Sequence, residues 1–146
     1  MEMRLQSRLI IIALLLCGMS GCTHNNGDIG PWFGTWQVTG IDADGAPLAE
    51  YDGNVVLKFQ SHVMESRTQY DHHSYTAYWC SWHEEEGALI LEINPDEESA
   101  GYVPELHIPW IPVNTLRILS LTGSNACLSR LSDEGTEYKY YLKKLY

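Results

Sequence analysis

From Trp32 to the C-terminus, short apolar or alternating runs recur, each bounded by turn residues. They cover Thr35–Ile41, Asn54–Gln60, His62–Tyr70, Tyr75–Trp82, Ala88–Asn94, Glu105–Ile111, Leu116–Leu121, Ala126–Leu131 and Tyr138–Leu145. Several have a period of two. Val55, Leu57 and Phe59 share one face, with Val56, Lys58 and Gln60 on the other. Leu89, Leu91 and Ile93 oppose Ile90, Glu92 and Asn94; Tyr138, Tyr140 and Leu142 oppose Lys139, Tyr141 and Lys143. This period, rich in β-branched and aromatic residues, predicts half-buried strands. Asp-Gly, Glu-Gly and Thr-Gly pairs in the connectors suit hairpins. Asp42–Pro47, Asp71–Ser74 and His83–Gly87 read as turns, and Pro95–Val103 as a longer acidic loop. No segment after Trp32 carries a helical stripe over three turns. The expected fold is all-β, a single antiparallel meander of about 8–9 strands closed into a barrel, which removes exposed edges.

The first residues follow a different pattern. Arg4 and Arg8 precede the apolar run Leu9–Leu16, which is too short to span a bilayer, and Met19-Ser20-Gly21-Cys22 follows it. Basic, apolar and small-residue zones in this order predict a secretory signal that is removed. An ordinary cleavage near Gly21 or an uncleaved anchor is the alternative. The Ser-Gly-Cys ending resembles the lipobox of bacterial lipoproteins, which implies acylation of Cys22 as the new N-terminus. Cys17 fits less well, because Leu15 and Leu16 before it are bulky. Acyl chains contribute about 0.8 kcal/mol per buried methylene, so several chains tether a domain firmly. The domain expectation is a signal over 1–21, a lipidated flexible tether over 22–31, and a barrel over 32–146. Thr23 stands where an inner-membrane retention Asp would, and His24-Asn25-Asn26 lacks an acidic surface-export run. The lipoprotein resemblance therefore implies an envelope protein on the outer membrane, facing the periplasm.

The charge narrows the partners. Removing 1–21 takes Glu2, Arg4 and Arg8 from 19 acidic and 9 basic residues, leaving 18 and 7 and a formal charge of −11. Such a surface repels phosphate backbones and offers no basic patch to anionic lipid, so nucleic acid is excluded and membrane contact is expected through the lipid alone. Cys80 and Cys127 remain after processing. An exported compartment permits a disulfide between them, but two small buried thiols fit the sequence equally.

Gly34-Thr35-Trp36, at the first predicted strand, resembles the Gly-x-Trp start of lipocalin and calycin barrels. The chain is also similar to small lipocalin-like lipoproteins of Gram-negative bacteria, with a signal, a lipid-modified cysteine, a mid-chain aromatic strand and a Tyr-rich last strand ending in Lys. It departs from true lipocalins in lacking their Thr-Asp-Tyr segment and any last-strand Arg to cover the Trp ring. The resemblance implies a barrel more firmly than a ligand.

Tyr78, Trp82, Trp110 and Tyr140 are the residues expected to line a ligand site. Tyr78, Cys80 and Trp82 share one side of their strand, with Tyr75, Ala77, Trp79 and Ser81 on the other. Aromatic rings with polar tips suit a moderately apolar ligand, and core filling is the alternative, favoured for Trp36. Asp71-His72-His73, with His62 and His83, lacks the convergent spacing of a zinc site and reads as a solvated turn. Asp42-x-Asp44-Gly45 starts like a calcium loop but has no closing Glu. No nucleophile elbow, phosphate loop or Cys-His signature is present, so neither catalysis, cofactor nor metal is expected. Two functions remain: a barrel that carries a small apolar or amphipathic ligand, and a packed, non-catalytic interaction module for a protein or glycan. The volume of the barrel interior separates them.

Overall fold

The computed structural model describes residues 30–146; the expected signal, Cys22 and the expected tether as far as residue 29 lie outside the described residues. The strands are β1 (Gly34–Ala43), β2 (Ala46–Pro47), β3 (Val55–Gln60), β4 (Val63–Gln69), β5 (Tyr75–Glu85), β6 (Ala88–Glu92), β7 (Val113–Leu121), β8 (Asn125–Leu131) and β9 (Glu137–Lys144). Each pairs antiparallel with the next, β1 passing over the short β2 to pair with β3. β1 also pairs with β9, from Trp36↔Lys144 to Ala43↔Tyr138, which closes eight strands into a barrel and leaves β2 as an appendage. A bulge between Val38 and Gly40 shifts the β1–β9 register, and a bulge bends the strand that carries it.

The period-two faces fold as the pattern dictates. Val55, Leu57 and Phe59 point inward with Leu89, Leu91, Leu128, Tyr140 and Leu142. The β5–β6 hairpin turns on Glu86 and Gly87, both at positive φ (50° and 77°), so β5 runs to Glu85 through a stretch that reads as a turn in sequence. Gly34 shows why the Gly-x-Trp start needs its glycine. Its φ is +123°, and a Cβ there would stand 2.5 Å from the Tyr146 carbonyl oxygen, where the chain end docks on Thr35.

One predicted strand is not a strand. Glu105–Ile111 enters a 3-10 turn over Pro104–Leu106, and His107 is left-handed (φ 53°). Leu106 and Ile108 are buried, as their alternation requires, but as a plug rather than in a ladder. Pro104, Pro109 and Pro112 lack the N–H a ladder needs, so this alternation cannot propagate as sheet. The ninth strand is instead the two-residue β2, within the predicted turn.

Candidate functional site

Both ends of the barrel are closed by the chain itself. At the end holding the start of β1, Trp32 is buried against Trp36 and Phe59, with ring centroids 5.5 Å apart in each case. Its Nε1 donates to Glu84 Oε2 at 3.1 Å, and Trp36 Nε1 donates to the Trp32 carbonyl at 2.8 Å. Lys144 Nζ lies 5.2 Å from the Trp36 ring centroid and donates to the Pro31 carbonyl at 3.3 Å. A lysine thus covers the ring that no arginine of the last strand can reach.

At the opposite end the segment from Ala100 to Pro109 plugs the mouth. Inward polar side chains near the ends of four strands hold it, because a buried backbone away from any ladder needs side-chain partners. On β4, Ser66 Oγ accepts from Val103 N at 3.1 Å, and Thr68 donates to Glu105 Oε2 at 2.8 Å. On β7, Asn114 Nδ2 donates to the Pro109 carbonyl at 2.9 Å. On β8, Arg130 Nη2 donates to the His107 carbonyl, and on β9 the Tyr140 hydroxyl donates to the Leu106 carbonyl at 2.6 Å. Burial pushes the Tyr140 and Tyr102 hydroxyls up in pKa, so both stay protonated and able to donate.

Beneath this plug the remaining void is about 10 Å³, lined by side chains such as Leu57, Met64, Leu91 and Leu116. That is at or below the size needed for one water, about 10–15 Å³. Lifting the plug exposes Val103, Leu106 and Ile108, a cost of roughly 5–9 kcal/mol at about 1.5–3 for each aliphatic side chain. That is comparable with the whole stability of a domain, about 5–15 kcal/mol. The plug is therefore core, not a loose gate.

The four aromatic residues singled out in sequence occupy three places. Tyr78 and Trp110 meet edge to face at 4.8 Å beside the plug, where Trp110 Nε1 donates to the Tyr102 carbonyl at 3.0 Å. Trp110 also lies on Gly101, whose absent Cβ would stand 2.6 Å from the indole. Trp82 stands edge-on to Phe59 at 5.0 Å near the Trp32 end, its buried Nε1 without a partner among the described residues. Tyr140 is inside, under the plug. No single pocket joins all four.

Cys80 and Cys127 are free thiols. Cys80 faces the interior from β5, whereas Cys127 lies on the outer face of β8, alternating with buried Ala126 and Leu128. The disulfide left open by the sequence is not formed, because the side chains lie on opposite sides of the barrel wall. Burial pushes the Cys80 thiol up to about 12, so it is no nucleophile at neutral pH. Among the described residues no group of three or more His, Cys, Asp and Glu side chains could hold a metal ion.

A further opening lies on the outside of the wall. β6 ends at Glu92 while β5 continues past it, and Ala100 pairs parallel to Trp79 in the gap. Trp79 N donates to the Ser99 carbonyl and Gly101 N to the Trp79 carbonyl, each at 3.0 Å. The resulting groove, about 350 Å³, carries Trp79, Val63, Ser81, Glu92, Asn94, Glu97 and Ser99. Trp79 is 41 % exposed, and among the described residues no lysine or arginine lines the groove. Sequence reasoning passed over Trp79, although its place on the outward face of an alternating strand was the signal that could have found it.

Closure, register and plug define a barrel of lipocalin-like fold with a filled interior. It is similar to the crystal structure of a lipocalin-like protein from Bacteroides uniformis ATCC 8492, with a TM-score of 0.60 and 17 % identity over 80 % of this chain and 100 % of that one. It is also similar to an uncharacterized protein from Bacteroides eggerthii DSM 20697, with a TM-score of 0.61 and 18 % identity over 77 % of this chain and 98 % of the other. At such identity the likeness is one of fold. No protein-family model and no curated protein matches the sequence.

Proposed function

We propose that this chain is a non-catalytic interaction module of the bacterial envelope, with a packed lipocalin-like barrel presenting the Trp79 groove to a glycan. The carrying observation is the contrast between an interior of about 10 Å³ and an outer groove of about 350 Å³. A sugar has an apolar C–H face that lies on an indole and hydroxyls that pair with carboxylates and amides. The groove offers both, through Trp79 and through Glu92, Asn94 and Glu97. Without a lining cation, it suits neutral sugars better than anionic ones.

The test is tryptophan fluorescence titrated with a panel of neutral oligosaccharides. Saturable change for at least one of them, lost in Trp79→Ala but kept in Trp82→Phe, is expected. Silence across the panel ends the glycan reading. A second reading, a small apolar ligand inside the barrel, is favoured by the mostly aliphatic shell beneath the plug. A fatty-acid titration that perturbs Trp82 and persists in Trp79→Ala supports it instead.

Localisation belongs to the same proposal. Cys22 supplies the lipid that holds the domain on the periplasmic face of the outer membrane. Cys22→Ser is expected to abolish palmitate labelling and leave the barrel's melting temperature unchanged. Protease cleavage of the domain on intact cells overturns the periplasmic orientation.

A further inference from the structure

Arg130 has another relation to its surroundings besides holding the plug. It is 6 % exposed, and among the described residues no carboxylate lies within ion-pair distance of its guanidinium. Nη2 donates to the His107 carbonyl, Nε reaches the Tyr140 hydroxyl at 3.5 Å, and Cζ lies 5.0 Å from the Tyr138 ring centroid. Nη1 makes no hydrogen bond among the described residues. A buried cation is normally paired with an anion, because neutral acceptors and one ring face replace only part of its lost hydration. Holding a carbonyl requires a donor, not a charge.

Beside Arg130 a cavity of about 270 Å³ opens between the plug at His107–Pro109 and the β8–β9 turn at Ser132–Glu134. We infer that this cavity binds a small monocarboxylate, its anionic end on the free edge of Arg130 and its apolar body along Ile108 and Pro109. The fork of a guanidinium matches a carboxylate in plane and spacing. Tyr138, covered by the His107 ring at 5.3 Å and 12°, fixes one face of the guanidinium and leaves its edge to the ligand. Asp133 and Glu134 also line the cavity, so a dianion such as phosphate meets more repulsion than a single charge does. The site is separate from the Trp79 groove and shares Ile108 with the lining of the barrel interior.

The test is a chemical-shift titration of the full-length protein with benzoate, benzamide and inorganic phosphate. Saturable benzoate shifts at His107, Ser132 and Tyr138 are expected, with at least tenfold weaker response to the other two. Arg130→Lys is expected to weaken benzoate tenfold or more, because the point charge loses the fork. Since that change also touches the plug, the exposed pair Asp133→Asn/Glu134→Gln provides an independent arm and is expected to tighten benzoate several-fold. Equal response to benzamide, shifts confined to the Trp79 groove, or no benzoate binding overturns the inference. So does a loss of stability in the Asp133→Asn/Glu134→Gln protein without tighter benzoate binding, since these carboxylates then neutralise Arg130 themselves.

Discussion

At the scale of single residues, the side chains that matter most satisfy buried backbone. Tyr140 is the clearest. Its hydroxyl is the partner of the Leu106 carbonyl, and the aromatic ring fills the interior regardless. Tyr140→Phe keeps the ring but orphans the carbonyl, so a loss of about 1–3 kcal/mol is expected in urea unfolding. An unchanged midpoint would show that water replaces the hydroxyl. Trp32 acts at the other end through packing and its bond to Glu84. Trp32→Ala is expected to cost about 3–5 kcal/mol, as large aromatic truncations do. A chain beginning at Gly30 is expected to melt like one beginning at Thr23, with calorimetry as the check. A large difference between those two would move the domain boundary into the tether.

At the scale of elements, the plug decides what kind of barrel this is. Its apolar residues alternate as in a strand, but three prolines deny them a ladder, and inward polar groups on β4, β7, β8 and β9 hold the segment instead. Leu106 is the plug's largest fully buried aliphatic side chain. Leu106→Ala is expected to destabilise by about 2–5 kcal/mol and to leave a dry cavity where the void is now about 10 Å³. Benzene or xenon binding by the variant, absent from the parent, is the measurement. If neither binds, the interior has collapsed around the gap.

At the scale of the whole molecule, the packed interior fixes the response to alkaline pH. Burial raises the Cys80 thiol from 9.0 to about 12 and the Tyr51 hydroxyl from 10.0 to about 12, with Tyr102 and Tyr140 shifted the same way. These acids are neutral in the fold. Below pH 9 the folded and unfolded chains both keep these protons, and their contribution is fully present. As pH rises from there toward about 12, the unfolded chain releases protons that the folded chain retains, and stability falls. Urea midpoints are expected to be flat in this respect near neutrality and to drop steadily above pH 9. A midpoint that holds to about pH 11 would show that these groups are open to solvent.

The strand pattern was legible in sequence because a period of two is a local property, set by which neighbours face the core. Eight of nine predicted runs are strands, and closure follows from the need to cover edges. The Gly34-Thr35-Trp36 start was legible through its resemblance to lipocalin starts, although what forbids a Cβ at Gly34 is the distant Tyr146 carbonyl. The place of the remaining run was not. Whether Leu106 and Ile108 pair in a sheet or plug a mouth depends on partners such as Ser66 and Tyr140, more than 30 residues away. The cysteines are split by the barrel wall through the alternation along β5 and β8, but which of the two faces is the inner one is decided only when the barrel closes. Above all, the interior volume, which divides a carrier from an interaction module, depends on how distant side chains interdigitate. Sequence alone determined that these residues form a barrel with one apolar face; only the tertiary structure decided that the chain fills its own barrel and leaves its open surfaces outside.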